Sequence, residues 1–350
     1  MTLDRQALWD LFTLREEHAP WITDKYGRVP SWATARHDLF QPVVSEHLVQ
    51  RGFKPTYPEG REFAVCLSHD IDLLFTPFRS RLAKAAPLGA RALLGVLGGV
   101  MQRGIDPRYD LDNVLRAERK HNATSSFYFL SLPKGEDGYN YDPGSIGEQL
   151  SAVKQAGCEI GLHGGHSAWH DGTHLQEEKQ RLERAADATV TGYRNHFLRF
   201  ALPDTWKLLA QHGFTHDSTL AYSDRAGFRN GMCHPFRPYD HTSGGYLDIM
   251  ELPLAIMDAG LFVNMKLDRT TAMDLCKRMI ARVKQCNGVL TLLWHNNYFQ
   301  GDMGRFYDEL LGHLKNEGAW LTSSASLLEH WQAVGNAVRL ESTLAEHLKP

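Results

Sequence analysis

Short apolar runs alternate with stretches of helical periodicity along most of the chain. Strand-like runs, four to eight residues long, fall at 63–68, 125–132, 158–162, 197–200, 214–218, 247–253, 289–294 and 319–322. Helical patterns lie between them. The pattern at 111–121 follows Asp110, a residue of N-cap type. Those at 145–156 and 204–212 run into Gly157 and Gly213, which suit C′ stops. At 176–188, Leu175, Leu182, Ala185 and Ala186 share one side, and Glu177 stands four residues before Arg181. A last pattern, 269–286, closes before Gly288. Strands and helices alternating at this length predict a parallel sheet with helical crossovers, and seven or eight such units predict a barrel rather than an open sheet. Residues 1–60 read as a helical and irregular extension, with helical patterns at 6–14 and 43–49 punctuated by Pro30, Pro42, Pro55 and Pro58. The expected layout is the extension 1–60, a barrel over 61–330, and a helix or tail over 331–350.

Composition narrows this picture. The chain has 350 residues, 43% hydrophobic and 23% charged, which is enough for a full core. A formal net charge of −3 argues against a general nucleic-acid binder. Five scattered cysteines without a CxxC pair argue against a disulfide framework or a cysteine–zinc site, and fit a reducing, cytoplasmic compartment. The inserted stretch 79–108 stands apart. Its segment 85–101 is apolar except for Arg91 and is preceded by Arg79, Arg81 and Lys84. Two expectations stand for it: a buried helix, or an interfacial helix that brings 79–101 into peripheral contact with the inner face of a membrane.

Candidate chemistry gathers where strands end. Residues 65–74 read VCLSHDIDLL, an apolar run that delivers His69, Asp70 and Asp72. Residues 158–166 read CEIGLHGGH and deliver His163 and His166, with His170 beyond. Arg194 and His196 flank the run at 197–200, Asp217 follows Phe214-Thr215-His216, Glu251 sits in Met250-Glu251-Leu252-Pro253, and the run 289–294 ends in His295-Asn296. Parallel barrels keep their chemistry at that mouth. One carboxylate with two imidazoles suits Zn²⁺ with a position open to water. Acid and base work then needs one carboxylate and one imidazole outside that set, and Asp70 and His295 are the candidates. Arg194 could hold a carboxylate ionised. Trp169 and Trp294, beside these histidines, are either core or platforms for a sugar ring.

Taken in order, these motifs resemble the polysaccharide deacetylase (NodB-homology) superfamily, in the bacterial branch whose first motif is of HDID or HDVD type. The stretches at 118–130, 194–200, 217–220 and 227–231 support the likeness, which covers roughly residues 60 to 330. The resemblance implies a distorted (β/α)₇ barrel, here with a helical N-terminal extension, and a divalent metal, usually zinc, held by one aspartate and two histidines. Carried over, Asp70 is the base, Asp72 and His163 are metal ligands, Arg194 partners the base, His295 is the acid and Asp217 orients it. The usual second motif spaces its histidines four apart. Here that position is Ser167, and His166 stands three after His163, with Gly164-Gly165 free to turn the chain. His166 is therefore the second metal histidine and His170 the reserve. Trp169, Trp294 and Asn296 are the substrate-binding candidates. The expected activity is metal-dependent removal of an N-acetyl or N-formyl group from an amino sugar of a surface polysaccharide or its precursor. Two other expectations are a silent barrel that binds a glycan or an assembly partner, and a hydrolase of a small non-glycan amide.

Overall fold

The computed structural model describes residues 3–75 and 111–350, except 19, 21, 35, 37, 134, 135, 137, 138 and 300, together with 87, 89 and 90. The insertion 79–108, and with it the expected membrane contact, otherwise lies outside the described residues. No helix among the described residues is long and apolar enough to cross a membrane.

β1 (Ala64–Ile71) is buried at every position. A strand covered on both faces cannot alternate apolar with polar, so it reads as a continuous apolar run. It extends past the run expected from the sequence, because His69 and Asp70 stay in register with Phe127 and Tyr128 of β2 (Ser126–Leu130). β3 (Glu159–Gly164), β4 (Gly192–Asn195) and β5 (His216–Asp217) follow in parallel on that side. A small antiparallel hairpin, β6 (Tyr239–Asp240) and β7 (Gly245–Tyr246), stands outside the sheet.

Closure depends on one broken strand. β8 (Met250–Glu251) pairs with β5, while β9 (Leu254–Met257) pairs with β10 (Val289–Leu293), which itself lies against β1. Only Leu252 and Pro253 separate β8 from β9, so the two ends of the sheet are joined by two residues and the sheet must curl shut. Pro253 has no N–H to give a ladder. Leu252 and Leu254 hold the break in place by donating to the carbonyls of Asp217 (2.9 Å) and Leu220 (3.0 Å). The result is the distorted (β/α)₇ barrel. A short β11 (Trp320–Thr322) pairs with the first half of β1, below β2.

Helices cover the outside: α1 (Arg5–Phe12), α2 (Val43–Gln50), α3 (Leu111–Lys120), α4 (Gly147–Gln155), α5 (Gly172–Ala186), α6 (Asp204–Gln211), α7 (Arg269–Gln285), α8 (Gly301–Asn316), α9 (Ser324–Ala333) and α10 (Asn336–His347). The helical extension packs into the main core. Trp9 meets Tyr239 edge-on at 5.0 Å, and Phe12 meets Phe236 at 5.3 Å. The last segment is packed too, burying Leu340 and Leu344 of α10.

The run at 197–200 is a turn rather than a strand. The strand there is β4, and Phe197 and Leu198 sit at φ 59° and 54°, which no strand permits. α5 starts earlier than its apolar pattern because Asp171 caps it, accepting from the backbone N–H of Thr173 (2.8 Å) and His174 (3.2 Å). From α5, buried Glu178 accepts from the Gly165 N–H at 2.8 Å, just past the end of β3. Burial pushes this carboxyl up to about 7. The folded protein therefore keeps the proton that the unfolded chain loses near 4.5, so this group costs stability as pH rises from about 4.5 to about 7. At about 1.4 kcal/mol per unit, the loss approaches about 3 kcal/mol. Urea unfolding at pH 5 and pH 8 should show the Glu178→Gln variant gaining on the parent at the higher pH.

Candidate metal centre

Each chemically able side chain enters from the C-terminal end of a strand. Asp70 lies in the last turn of the pleat of β1 and Asp72 just past it. His163 is near the end of β3, Arg194 is in β4, and His196 follows β4 directly. Asp258 follows β9, and His295 stands two residues past β10. Of these, Asp70, Asp72, His163, His196 and His295 line a cavity of ≈ 490 Å³.

Three of these converge. One ligand atom each from Asp72, His163 and His196 lie within 4.8 Å of one another. Asp72 Oδ1 is 3.3 Å from His163 Nε2 and 3.8 Å from His196 Nε2. That oxygen is buried and has no hydrogen-bond partner among the described residues. His163 Nδ1 donates to the Arg194 carbonyl at 2.9 Å, which fixes the tautomer and leaves the Nε2 lone pair facing the carboxylates. Burial alone would lower the pKa of His163, but Asp70 and Asp72 outweigh it and raise it. The cluster thus draws positive charge inward. An orphaned carboxylate oxygen opposite two imidazole nitrogens, in a field that attracts cations, fits a divalent metal. His196 differs from His163. Burial holds it down at about 4, so it stays neutral and keeps its nitrogen lone pair.

Two pairs stand beside this trio with opposite electrical settings. Asp70 Oδ1 receives the Arg194 guanidinium at 2.9 Å, while Asp70 Oδ2 faces His163 Nε2 at 3.7 Å. Arg194 is fully buried. It also donates to Ser68 Oγ (2.9 Å), the Ser218 carbonyl (3.0 Å) and Ser218 Oγ (2.8 Å), and it lies over the Tyr128 ring. A buried charge is tolerable only when paired in this way. Burial pushes the Asp70 carboxyl up, but His163 and Arg194 together bring it below the usual range, so it is ionised. His295 is set the other way. Its Nδ1 lies 2.7 Å from Asp258 Oδ1, its backbone N–H donates to the other Asp258 oxygen, and its Nε2 is 4.0 Å from Asp72 Oδ2. Burial lowers His295, but Asp258 overrides it and the ring is held up at about 10, protonated at neutral pH.

The remaining candidates lie as follows. His166 is outside the converging trio. Its ring rests against His196 (5.6 Å) and Phe197 (5.3 Å), and its carbonyl accepts from Trp169 and Arg199. His170 is exposed beside Trp169. Asp217 turns away from His295 and accepts from the N–H and hydroxyl of Thr219; Asp258 occupies the orienting position beside His295. Trp294 is fully buried, stacked on Phe306 at 5.6 Å, so its face is closed to a sugar. Trp169 lies under Arg199 and donates to the His166 carbonyl. Asn296 donates to the Leu73 carbonyl at 2.9 Å and ties the loop after β10 to the loop after β1. His69 is locked in the core between the Trp294 carbonyl (2.7 Å) and Glu118 (2.8 Å).

No family model and no curated protein matches the chain in sequence. Solved structures do match in shape. One, described as a "putative polysaccharide deacetylase from Mycobacterium smegmatis", superposes with a TM-score of 0.56 at 20% identity, covering 81% of this chain and 94% of that one. Puue allantoinase gives 0.55 at 13% identity, with 86% and 98% covered. At these identities the likeness is one of fold, and fold does not by itself fix activity.

Proposed function

We propose that the protein is a metal-dependent hydrolase of carbon–nitrogen (non-peptide) bonds that removes an N-acyl group, acetyl or formyl, from an amino sugar. The observation that carries this reading is the opposed charge of Asp70 and His295 beside Asp72, His163 and His196. Two titratable groups pushed apart by their surroundings are the mark of a base and an acid with assigned roles. Asp72, His163 and His196 would hold the metal. A divalent cation there supplies polarisation of the acyl oxygen and lowers the pKa of a water. Asp70, kept ionised by Arg194, takes the proton from the attacking water. His295, kept protonated by Asp258, gives a proton to the departing amine, without which the carbon–nitrogen bond would have to expel an amide anion.

The cavity supports a sugar. Its lining combines the aromatic Trp32 with the polar Asp24, Asp224 and Asn264, a composition that suits a sugar. A structure described as a "putative polysaccharide deacetylase" and an allantoinase share the fold at nearly equal TM-scores, so the choice of a sugar rests on the cavity, and the comparison of sugars with small amides decides it. The test is release of acetate from N-acetylated mono- and oligosaccharides by zinc-loaded protein, with allantoin and simple acetamides as the comparison. Turnover on sugars and none on small amides is expected. Turnover on small amides alone would overturn the sugar assignment.

A further inference from the structure

His163 is oriented as a metal-binding histidine usually is, by a hydrogen bond from its other ring nitrogen. His196 is not. Its Nδ1 is buried with no hydrogen-bond partner among the described residues. A ring free to turn about its side-chain bonds would present its lone pair poorly, so something else must hold it. The ring of Phe197 stacks on the His196 ring at 4.0 Å and 23°. On Phe197, in turn, lies the ring of Tyr26 from the N-terminal extension, at 4.7 Å and 7°. Arg28 reaches over the Tyr26 ring at 4.8 Å, donates to the Phe197 carbonyl, and is paired with Asp24 at 2.6 Å. Ser31 Oγ donates to Asp224 at 2.7 Å and fastens the same strap to the loop after β5.

The backbone underneath points the same way. Phe197 and Leu198 are consecutive non-glycine residues in the left-handed region. Such a pair persists only where its surroundings over-determine it, and such strain gathers at working sites. Here the stacked Tyr26 ring and the Arg28 bond to the Phe197 carbonyl impose it, and its effect is to turn the Phe197 ring onto His196. Residues 24–32 also wall the cavity with Asp24, Arg28, Pro30 and Trp32.

We propose that the N-terminal extension is a working part of the metal centre: Tyr26 presses Phe197 against His196, and this stack takes the place of the missing hydrogen bond in aiming the third ligand. Tyr26 and Phe197 are thus positioning residues. The proposal rests on the metal assignment made above, and the experiment separates the two. Zinc affinity is measured by chelator competition on the full-length, metal-stripped protein, for the parent, Tyr26→Ala, Tyr26→Phe and His196→Ala. Tyr26 is half-buried on a surface strap, and thermal unfolding of each metal-free variant checks that the fold is intact. Outer-shell partners typically contribute about 10–100-fold to metal affinity, so Tyr26→Ala should weaken zinc by at least about tenfold, while Tyr26→Phe stays within about threefold of the parent. Unchanged affinity in Tyr26→Ala, with His196→Ala defective, overturns the stacking proposal and leaves the metal assignment standing. Equal weakening in Tyr26→Ala and Tyr26→Phe also overturns it, since the ring would then not be the cause. Parent-like affinity in His196→Ala overturns the metal assignment, and the stacking proposal with it.

Discussion

Replacing Asp70 by Asn, or His295 by Ala, is expected to lower the turnover of N-acyl sugar by about 10²–10⁴-fold, the usual worth of general base or acid catalysis. That corresponds to about 3–5 kcal/mol of barrier. Zinc content should stay near that of the parent in both variants, because neither residue belongs to the converging trio. The reasons differ. Asp70→Asn removes the proposed proton acceptor and leaves the Arg194 guanidinium facing a neutral amide. His295→Ala removes the proposed proton donor and leaves Asp258, fully buried, without the ring that shares its charge. Asp258→Asn should act through His295 and reproduce part of that loss, since the carboxylate is what keeps the ring protonated. Steady-state acetate release, with metal analysis of the same samples, checks all three. Loss of zinc in Asp70→Asn would reverse the roles of the two aspartates in the first motif.

Removing a residue of the trio is expected to act on the metal first. Asp72→Asn, His163→Ala and His196→Ala should each weaken zinc by more than the roughly 10–100-fold that outer-shell substitutions cost, and activity should fall with occupancy. Ligand chemistry makes the order of damage predictable. Asp72 carries the only carboxylate oxygen of the set, and that oxygen is buried without a donor, so its loss removes the charge that offsets the cation. His166→Ala should keep its zinc, since the His166 ring rests on His196 and Phe197 outside the cluster.

Much of this site was legible because barrel strands write it plainly. An apolar run that ends in His69-Asp70-Ile71-Asp72, and another that ends in His163, say both that a buried strand stops and that polar groups cluster at its mouth. His295, after the run 289–294, follows the same grammar. What was hidden depends on distance through space. Counting three or four residues onward from His163 leads to His166 or His170, yet the histidine that comes near Asp72 stands after the neighbouring strand, at His196. The run at 197–200 concealed it, because a strand placed there makes His196 precede a strand rather than end one. The left-handed turn at Phe197-Leu198 has no glycine to announce it. Asp258 was hidden by the break at Leu252-Pro253, where the apparent strand stops short; β9 resumes and delivers Asp258 at the mouth. The strand-then-acid pattern of Leu254-Ala-Ile-Met257-Asp258 was the available signal. Trp294 adjoins His295, but its ring points outward onto Phe306 and Tyr307 of α8, because neighbouring side chains on an extended chain point to opposite faces.

Everything proposed for this site turns on Asp72, His163 and His196 sharing one divalent metal. A crystal of zinc-loaded protein, with anomalous scattering recorded across the zinc edge, tests it most directly. One strong peak is expected about 2.0–2.2 Å from an Asp72 carboxylate oxygen and from Nε2 of His163 and His196, with Asp70 and His295 beside it and not bonded to it. A peak bonded to Asp72, His163 and His166, with His196 turned away, would contradict it, as would zinc-soaked crystals with no peak at this mouth of the barrel.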